Sequence, residues 1–301
     1  MTPVNHDRPL RGRTVMVTGA NGGMGRVIAS DLARQGAAVI LVVRSARQGE
    51  ALKREIASAT GNLEVDFLMA DLSDQASIRQ LVSAFHQRYT QLHVLVNNAG
   101  IHLQERQLSK DGTEMHFAVN HLAPFLLSNL LLDTLKASAP ARIVNVSSQT
   151  IADTRPVPLL CQPRPAVLNL DDLQSARDFE PVLAYGRSKL AMVMCGYVLA
   201  RRLRGSGLSV NALHPGIVAT DIVADVAPPL ARPFLGLIKR FLLTPEQGAA
   251  STVRLASAAE LEEVTGKYFV RTHERRSPQG SYDLTMQEQL WDASAALVGL
   301  P

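Results

Sequence analysis

Cysteines, aromatic residues and long apolar runs are all scarce in this 301-residue chain. The two cysteines, Cys161 and Cys195, do not form a CxxC pair, so we expect neither a disulfide framework nor a zinc site. There is no HExxH motif among the eight histidines, and we predict no metal centre. No apolar run reaches the roughly 18 residues that a membrane-spanning helix needs, and residues 1–13 are too polar for a signal peptide. Together these absences predict a cytoplasmic protein with no transmembrane segment.

Charge of one sign is not concentrated in any part of the sequence. Basic residues number 31 and acidic residues 27, which gives a net charge of +4. The basic residues occur in small clusters at 201–204 and 271–276, and no basic stripe is interleaved with aromatic residues. We therefore do not expect a nucleic acid as a partner.

Short apolar runs alternate with helical patterns along the chain, which predicts βαβ units. The predicted strands are Thr14–Thr18, Ala37–Val43, Leu63–Ala70, His93–Asn97, Ala141–Ser147, Ser209–Leu213 and Gly266–Val270. The predicted helices are 23–35, 46–59, 74–90, 112–137, 183–204 and 286–300. This order predicts an α/β fold, a doubly wound, Rossmann-like parallel sheet of about seven strands with helices on both faces. We expect a single domain over residues 1–301 with an insertion near 150–181.

A glycine-rich turn follows the first predicted strand and opens a helix. Backbone N–H groups and the positive end of the helix meet there, which favours a pyrophosphate. Gly19 would permit the tight turn, Gly23 the approach of the phosphate, and Gly25 close packing of helix on strand. The predicted dinucleotide-binding residues of this turn are Thr18, Gly19, Asn21, Gly22, Gly23, Met24 and Gly25.

A tyrosine and a lysine stand four residues apart in a predicted helix, as Tyr185 and Lys189. This spacing places both side chains on one helix face. A nearby ammonium favours the phenolate and lowers the pKa of a tyrosine, so Tyr185 could exchange a proton with a carbonyl or alcohol. Taken alone, such a pair is more often a solvent-facing contact.

Polar and small residues stand at or near the ends of the later strands. Ser148 could bind a substrate oxygen at the carboxyl edge of the sheet, where open α/β sheets bind ligands. Asn120 occupies a helix interior, for which asparagine has little preference. The remaining candidates are Asn98, Ala99 and Gly100 after one strand, and Pro215, Gly216, Ile217 and Thr220 after another.

In these motifs and their order, the chain resembles the short-chain dehydrogenase/reductase family over residues 14 to 221. The resemblance implies hydride transfer at C4 of a nicotinamide, with Asn120, Ser148, Tyr185 and Lys189 as the catalytic tetrad. Tyr185 would exchange the proton and Ser148 would hold the substrate oxygen. Lys189 would bind the ribose, and Asn120 would hold a water. Ser147 is the alternative to Ser148, because only one of two adjacent strand residues can face the site.

Within that family the chain resembles the retinol dehydrogenase branch, to which protochlorophyllide reductases are related. Five segments carry the likeness: Val119–Leu122, Asn145–Ser148, Leu183–Ala191, His214–Gly216 and the tail, Leu290–Asp292 with Leu300 and Pro301. The separation of Ser148 and Tyr185 by 37 residues reflects the expected insertion.

The second strand ends in Arg44 and carries no acidic residue at its turn. An acidic residue would accept a hydrogen bond from the ribose hydroxyls of NAD, whereas a guanidinium suits the phosphate of NADP. We therefore predict NADP, with NAD as the less favoured cofactor. By family position, Asp71 and Leu72 would contact the adenine.

The segment 221–243 is rich in Ala, Leu, Pro and Phe, and the resemblance implies that it is a substrate lid. Its apolar character predicts a hydrophobic carbonyl or alcohol as substrate; a packed helix, an oligomer contact or a membrane-contact helix are the competing interpretations. The resemblance is compatible with a homo-oligomer or a monomer. Two functional alternatives stay open: an NADP-binding regulator without turnover, and an epimerase or dehydratase on the same fold.

Overall fold

The computed structural model describes residues 8–155, 163–219 and 242–301. The strands are β1 (Thr14–Thr18), β2 (Ala38–Val43), β3 (Val65–Met69), β4 (Val94–Asn97), β5 (Ala141–Val146), β6 (Leu208–His214), β7 (Tyr268–Val270) and β8 (His273–Arg275). The α-helices are α1 (Gly23–Arg34), α2 (Ala46–Thr60), α3 (Gln75–Arg88), α4 (Met115–Phe117), α5 (Ala123–Leu130), α6 (Leu132–Ala137), α7 (Pro181–Arg202), α8 (Pro245–Ser257) and α9 (Leu284–Leu297).

The strands form one sheet in the order β3-β2-β1-β4-β5-β6-β7-β8. All neighbours are parallel except β7 and β8, which are antiparallel. The chain runs outward from β1 to β3, then returns to lay β4 on the other side of β1, so the strand order reverses there. In doubly wound sheets the ligand crevice lies at the carboxyl ends of the strands at this reversal. The predicted fold class is confirmed, with eight strands in place of about seven.

Side chains of successive strand residues point to opposite faces, which divides the core in two. In β1, Val15 and Val17 face one apolar cluster and Met16 faces the other. Helices α1, α2 and α8 cover the first face, and α3, α5, α7 and α9 cover the second. The sheet is therefore buried on both sides, as its nearly continuous apolar strands require.

Helix α9 lies against α7. Its Trp291 packs edge-on against Phe125 of α5, with ring centroids 4.7 Å apart. Its Ser294 lies 2.8 Å, Oγ to Nε2, from the buried His121. The last helix of the chain thus occupies part of the outer surface of α5 and α7.

Two elements were missed by the sequence prediction. Helix α8 begins at a capping box in which Thr244 and Gln247 bind each other's backbone, followed by Pro245 at the first helical position. This is a readable start signal that the prediction did not use. Strand β8 is exposed along its whole length, so it has no apolar pattern that could have revealed it.

The prediction of one continuous helix over 112–137 was wrong. The helical run begins at Met115 and passes through a π-helical segment, Ala118–Leu122, before α5. Pro124 explains the interruption, because it lacks the N–H that an α-helix would donate to the carbonyl of Asn120.

The predicted insertion is closed at its base by backbone hydrogen bonds. Thr154 N donates to Arg164 O at 2.8 Å, and Ala166 N donates to Ile151 O at 3.0 Å. Of the predicted lid, 221–243, residues 221–241 lie outside the described residues. On its two flanks, Val218 pairs with Leu243 as an isolated parallel bridge. Within the described ranges, no helix is both long and apolar enough to cross a membrane.

Candidate active site

The glycine-rich turn is built from close backbone contacts. Gly19 has φ +64°, and Gly23 has φ +45°, both in the region that disfavours side chains. A Cβ on Gly25 would lie 2.0 Å from the carbonyl oxygen of Gly19, and one on Gly19 would lie 2.8 Å from Cα of Ala99. The turn therefore fixes helix α1 against β1 and β4 at van der Waals distance.

The outer part of the turn faces solvent and leaves its N–H groups accessible. Asn21, Gly22 and Gly23 are exposed, and Met24 is half-buried. Gly22 caps helix α1 without any side-chain hydrogen bond. The first N–H groups of a helix need an outside partner, and an anion is favoured there by the helix dipole. The geometry fits a pyrophosphate.

Thr18 and Asn98 join the ends of β1 and β4 beneath the turn. The Thr18 hydroxyl accepts from the N–H groups of Asn98 at 3.0 Å and Ala99 at 3.1 Å, and it donates to Val96 O at 3.3 Å. The Asn98 amide donates to Thr18 O at 3.0 Å and to Gly19 O at 3.3 Å. Because its hydroxyl is fully used, Thr18 positions the turn through its side chain.

The residues predicted at the adenosine end follow the strands on the other side of β1. Arg44 is exposed at the end of β2, directly before Ser45, which caps α2. Asp71 is exposed after β3, and Leu72 beside it is half-buried. A hydrogen bond from the Ser73 hydroxyl to Asp71 Oδ1, at 2.6 Å, holds the pKa of the Asp71 carboxyl below its ordinary value. All three side chains lie along the carboxyl edge of the sheet.

Tyr185 and Ser148 meet where α7 passes the end of β5. Their side chains share a hydrogen bond, and Tyr185 is buried at 5% exposure. The Ser147 hydroxyl donates instead to the backbone carbonyl of Lys189, at 3.5 Å. Between the two adjacent serines, the structure therefore places Ser148 beside the tyrosine.

The pKa of Tyr185 is shifted in the direction opposite to the one predicted from the sequence. Burial raises the pKa of Tyr185 to about 12, although the hydrogen bond with Ser148 acts in the lowering direction. The predicted lowering by Lys189 was wrong, because loss of solvation dominates and Ser148 is the partner that acts in the lowering direction.

Lys189 lies one turn further along α7 and is almost fully buried at 3% exposure. Its Nζ donates to the carbonyl of Val146 at 2.9 Å, and a Cβ on Gly100 would lie 3.0 Å from it. Burial lowers the pKa of Lys189 to about 8. The ammonium is thus held between the end of β5 and the strand-end residues Asn98, Ala99 and Gly100.

Asn120 is fully buried in the π-helical segment. Its Oδ1 accepts from Ile101 N at 2.8 Å, and its Nδ2 donates to Ile101 O at 3.1 Å and Ser188 Oγ at 3.0 Å. The amide therefore binds the loop after β4 to helix α7. The four predicted catalytic residues come together in one site.

The segment after β6 reaches the same edge of the sheet. Pro215 is buried, Gly216 has φ +99°, and Ile217 is half-exposed. The N–H of Gly216 donates to Nδ1 of His214 at 3.2 Å. Thr220 lies outside the described residues.

Sequence reasoning missed an aromatic and imidazole cluster beside Tyr185. The ring centroid of His102 lies 5.5 Å from that of Tyr185, and His116 lies 5.4 Å from His102. Phe179, from the insertion, stacks on His116 at 5.9 Å. The one available signal was the position of His102, two residues after Gly100, at the end of a strand that borders the crevice.

The sheet order, the glycine turn and the buried tyrosine–lysine pair define a dinucleotide-binding α/β protein. The profile of the short chain dehydrogenase family matches residues 13–160. The chain is 39% identical to human retinol dehydrogenase 11 over 97% of this chain and 87% of that protein. It is 39% identical to human polyprenol dehydrogenase over 100% and 88% of the two chains. The RhlG/NADP complex from Pseudomonas aeruginosa superimposes with TM-score 0.67 at 26% identity, covering 88% and 97%.

The chain belongs to the short-chain dehydrogenase family, whose members are oxidoreductases. Its likeness to the retinol dehydrogenases is confirmed over nearly the whole sequence.

Proposed function

We propose that the protein is an NADP-dependent oxidoreductase that transfers a hydride between nicotinamide C4 and a carbonyl or alcohol carbon of a hydrophobic small molecule. The observation that carries the proposal is the buried phenol of Tyr185 beside the half-buried Ser148, with Lys189 one helical turn away. A buried phenol at a strand end, next to an ammonium and a nucleotide turn, is an arrangement for proton exchange with a bound substrate.

The cofactor fits the residues present. The turn leaves no room for a Cβ at Gly19 or Gly25, and the exposed N–H groups at the start of α1 suit a pyrophosphate. Bound NADPH supplies the hydride. The residues proposed to hold it are Thr18, Gly19, Asn21, Gly22, Gly23, Met24, Gly25, Arg44, Asp71, Leu72, Asn98, Ala99, Gly100, Tyr185, Lys189, Pro215, Gly216, Ile217 and Thr220.

NADP is favoured over NAD by the exposed Arg44 at the end of β2. A guanidinium binds a phosphate through charge-assisted, bidentate hydrogen bonds. The solved relative from Pseudomonas aeruginosa contains NADP, which supports the same choice here.

In the direction of reduction, Tyr185 donates the proton that the new alkoxide requires. Its raised pKa keeps the phenol protonated at neutral pH, so the acid is available before each turnover. Ser148 binds the same oxygen and orients it toward Tyr185. Lys189 presents a positive charge one helical turn from Tyr185, and Asn120 joins the loop after β4 to helix α7, which carries both residues.

A hydrophobic substrate is supported by the apolar composition of 221–243. It is also supported by the relatives, whose names give retinol and polyprenol, both lipophilic alcohols, as their substrates. The substrate class proposed here is a lipophilic ketone, aldehyde or alcohol.

The test compares Tyr185→Phe with the wild type for NADPH consumption on a panel of lipophilic carbonyl compounds. We expect kcat/KM to fall by roughly 10²–10⁴-fold, the usual contribution of a positioned proton donor, while NADPH binding persists. Tyr197→Phe is the matched control, because its hydroxyl lies on the same helix but binds Ser277 at 2.7 Å. Undiminished turnover by Tyr185→Phe would show that another group is the acid.

A further inference from the structure

Residue 102 is held in place from both sides. Its predecessor Ile101 is bound through both backbone groups by the Asn120 amide. Its successor Leu103 donates its N–H to Nε2 of His116 at 2.8 Å. Since both neighbours are fixed, the loop presents the side chain of His102 at one defined position.

That position is next to the reacting groups. The His102 imidazole lies edge-on to the Tyr185 ring, with centroids 5.5 Å apart and an interplanar angle of 65°. Its side chain is buried at 3% exposure. It therefore stands against the Tyr185 ring, together with His116 and Phe179.

Neither ring nitrogen of His102 has a hydrogen-bond partner among the residues that the structure describes. The other buried histidines each bind a protein group through at least one ring nitrogen: His93 with Thr14 N, His116 with Leu103 N, His121 with Ser294 and His214 with Gly216 N. A buried polar group without a partner is costly. A bound molecule that supplied the partner would recover that free energy.

The imidazole is neutral at physiological pH. Burial, reinforced by the neighbouring His116, lowers the pKa of His102 to about 4. A neutral imidazole has one donor and one acceptor nitrogen. It therefore suits an uncharged oxygen, and it cannot serve as the proton donor of the reaction.

We propose that His102 is a substrate-contacting specificity residue that forms a hydrogen bond with a second oxygen of the substrate, a hydroxyl or carbonyl near the reacting carbon. This inference rests on the proposed function and narrows its substrate class. The favoured compounds are lipophilic diketones and hydroxyketones, in which a polar oxygen accompanies the carbonyl. A ketone with no other polar group would leave the imidazole unpaired.

The test uses two ketones with the same carbon skeleton, 1-phenyl-1,2-propanedione and 1-phenyl-2-propanone, which differ by one oxygen. Wild type, His102→Phe and His102→Gln are assayed with NADPH on both. Phenylalanine keeps a planar ring without nitrogens, and glutamine keeps a donor and an acceptor. Comparing each variant with wild type on each ketone removes the intrinsic difference in reactivity between the two compounds.

We expect His102→Phe to lower kcat/KM for the dione by roughly 10- to 100-fold, the effect of an unpaired hydrogen bond in a buried site. The monoketone should change by less than about threefold, and His102→Gln should recover part of the loss on the dione. NADPH affinity, measured by fluorescence titration, should be the same in all three proteins.

An equal loss on both ketones, or no loss on either, would overturn the role of His102 while leaving the proposed function intact. If the wild type consumed no NADPH with both ketones and with every other carbonyl compound in the panel, the proposed function itself would be overturned.

Discussion

The nucleotide turn, residues 18–25, and the catalytic cluster around Tyr185 are built in different ways. The turn consists of consecutive residues and works through backbone groups, held by glycines that admit no Cβ. The cluster brings together side chains from the segment after β5, α7, the π-helical segment and the loop after β4, all of them buried or half-buried.

This difference places the energetic costs in different parts of the molecule. The turn loses its function if the backbone moves, because the N–H groups must converge on one anion. The cluster carries desolvated ionisable groups, whose pKa values are shifted by burial. Binding of the anion at the turn thus depends on backbone geometry. Proton exchange in the cluster depends on pKa values that are set by a low-dielectric interior.

The largest expected effect is in the turn. In Gly25→Ala the new Cβ would lie 2.0 Å from Gly19 O, so α1 must move away from β1. We expect NADPH affinity to fall by about 10³-fold, or roughly 4 kcal/mol. Gly280→Ala is the matched control, because a Cβ there meets nothing within 4 Å. Circular dichroism checks that the variant is folded, and full affinity in a folded Gly25→Ala protein would contradict the assigned role of the turn.

A smaller effect is expected from removing the buried charge of the cluster. Lys189 has a folded pKa of about 8 against an ordinary value of 10.5, so the unfolded chain binds more protons between those two values. The free energy of unfolding of wild type, relative to Lys189→Met, should therefore rise as pH increases from 8 to 10.5, by about 3 kcal/mol at most.

Urea unfolding of both proteins across this pH range measures the difference. Below pH 8 both states of the wild type carry the proton, so the penalty for burying the ammonium is present in full. Parallel pH profiles for the two proteins would mean that Lys189 is not desolvated as described.

The smallest expected effect is at the exposed end of the nucleotide site. In Arg44→Ala, we expect the Kd for NADPH to rise by about tenfold, because one charge-assisted contact to a phosphate is lost. NADH, which lacks that phosphate, is the internal control and should change little. If the variant bound NADPH and NADH more weakly to the same extent, Arg44 would not be the residue that selects NADP.

The sequence predicted the sheet, the turn and the tyrosine–lysine pair because each depends on short-range pattern. Strand and helix periods, glycine spacing and a four-residue helical spacing are all local. The exposed strand β8 and the break in the helix at Asn120 were missed. The first has no apolar pattern, and the second depends on Pro124 and on a side-chain bond to Ile101.

By itself, the sequence determined the fold class and the backbone turn that suits a dinucleotide, since these follow from periodicity and from glycines at fixed positions. Only the tertiary structure decided that Ser148 and not Ser147 lies beside Tyr185, and that burial raises the pKa of Tyr185 and lowers that of Lys189. It also decided that His102 stands beside Tyr185 with no hydrogen-bond partner in the described part of the chain. The reason is that burial and hydrogen-bond partners are set by residues distant in the chain, and a protonation state depends on both.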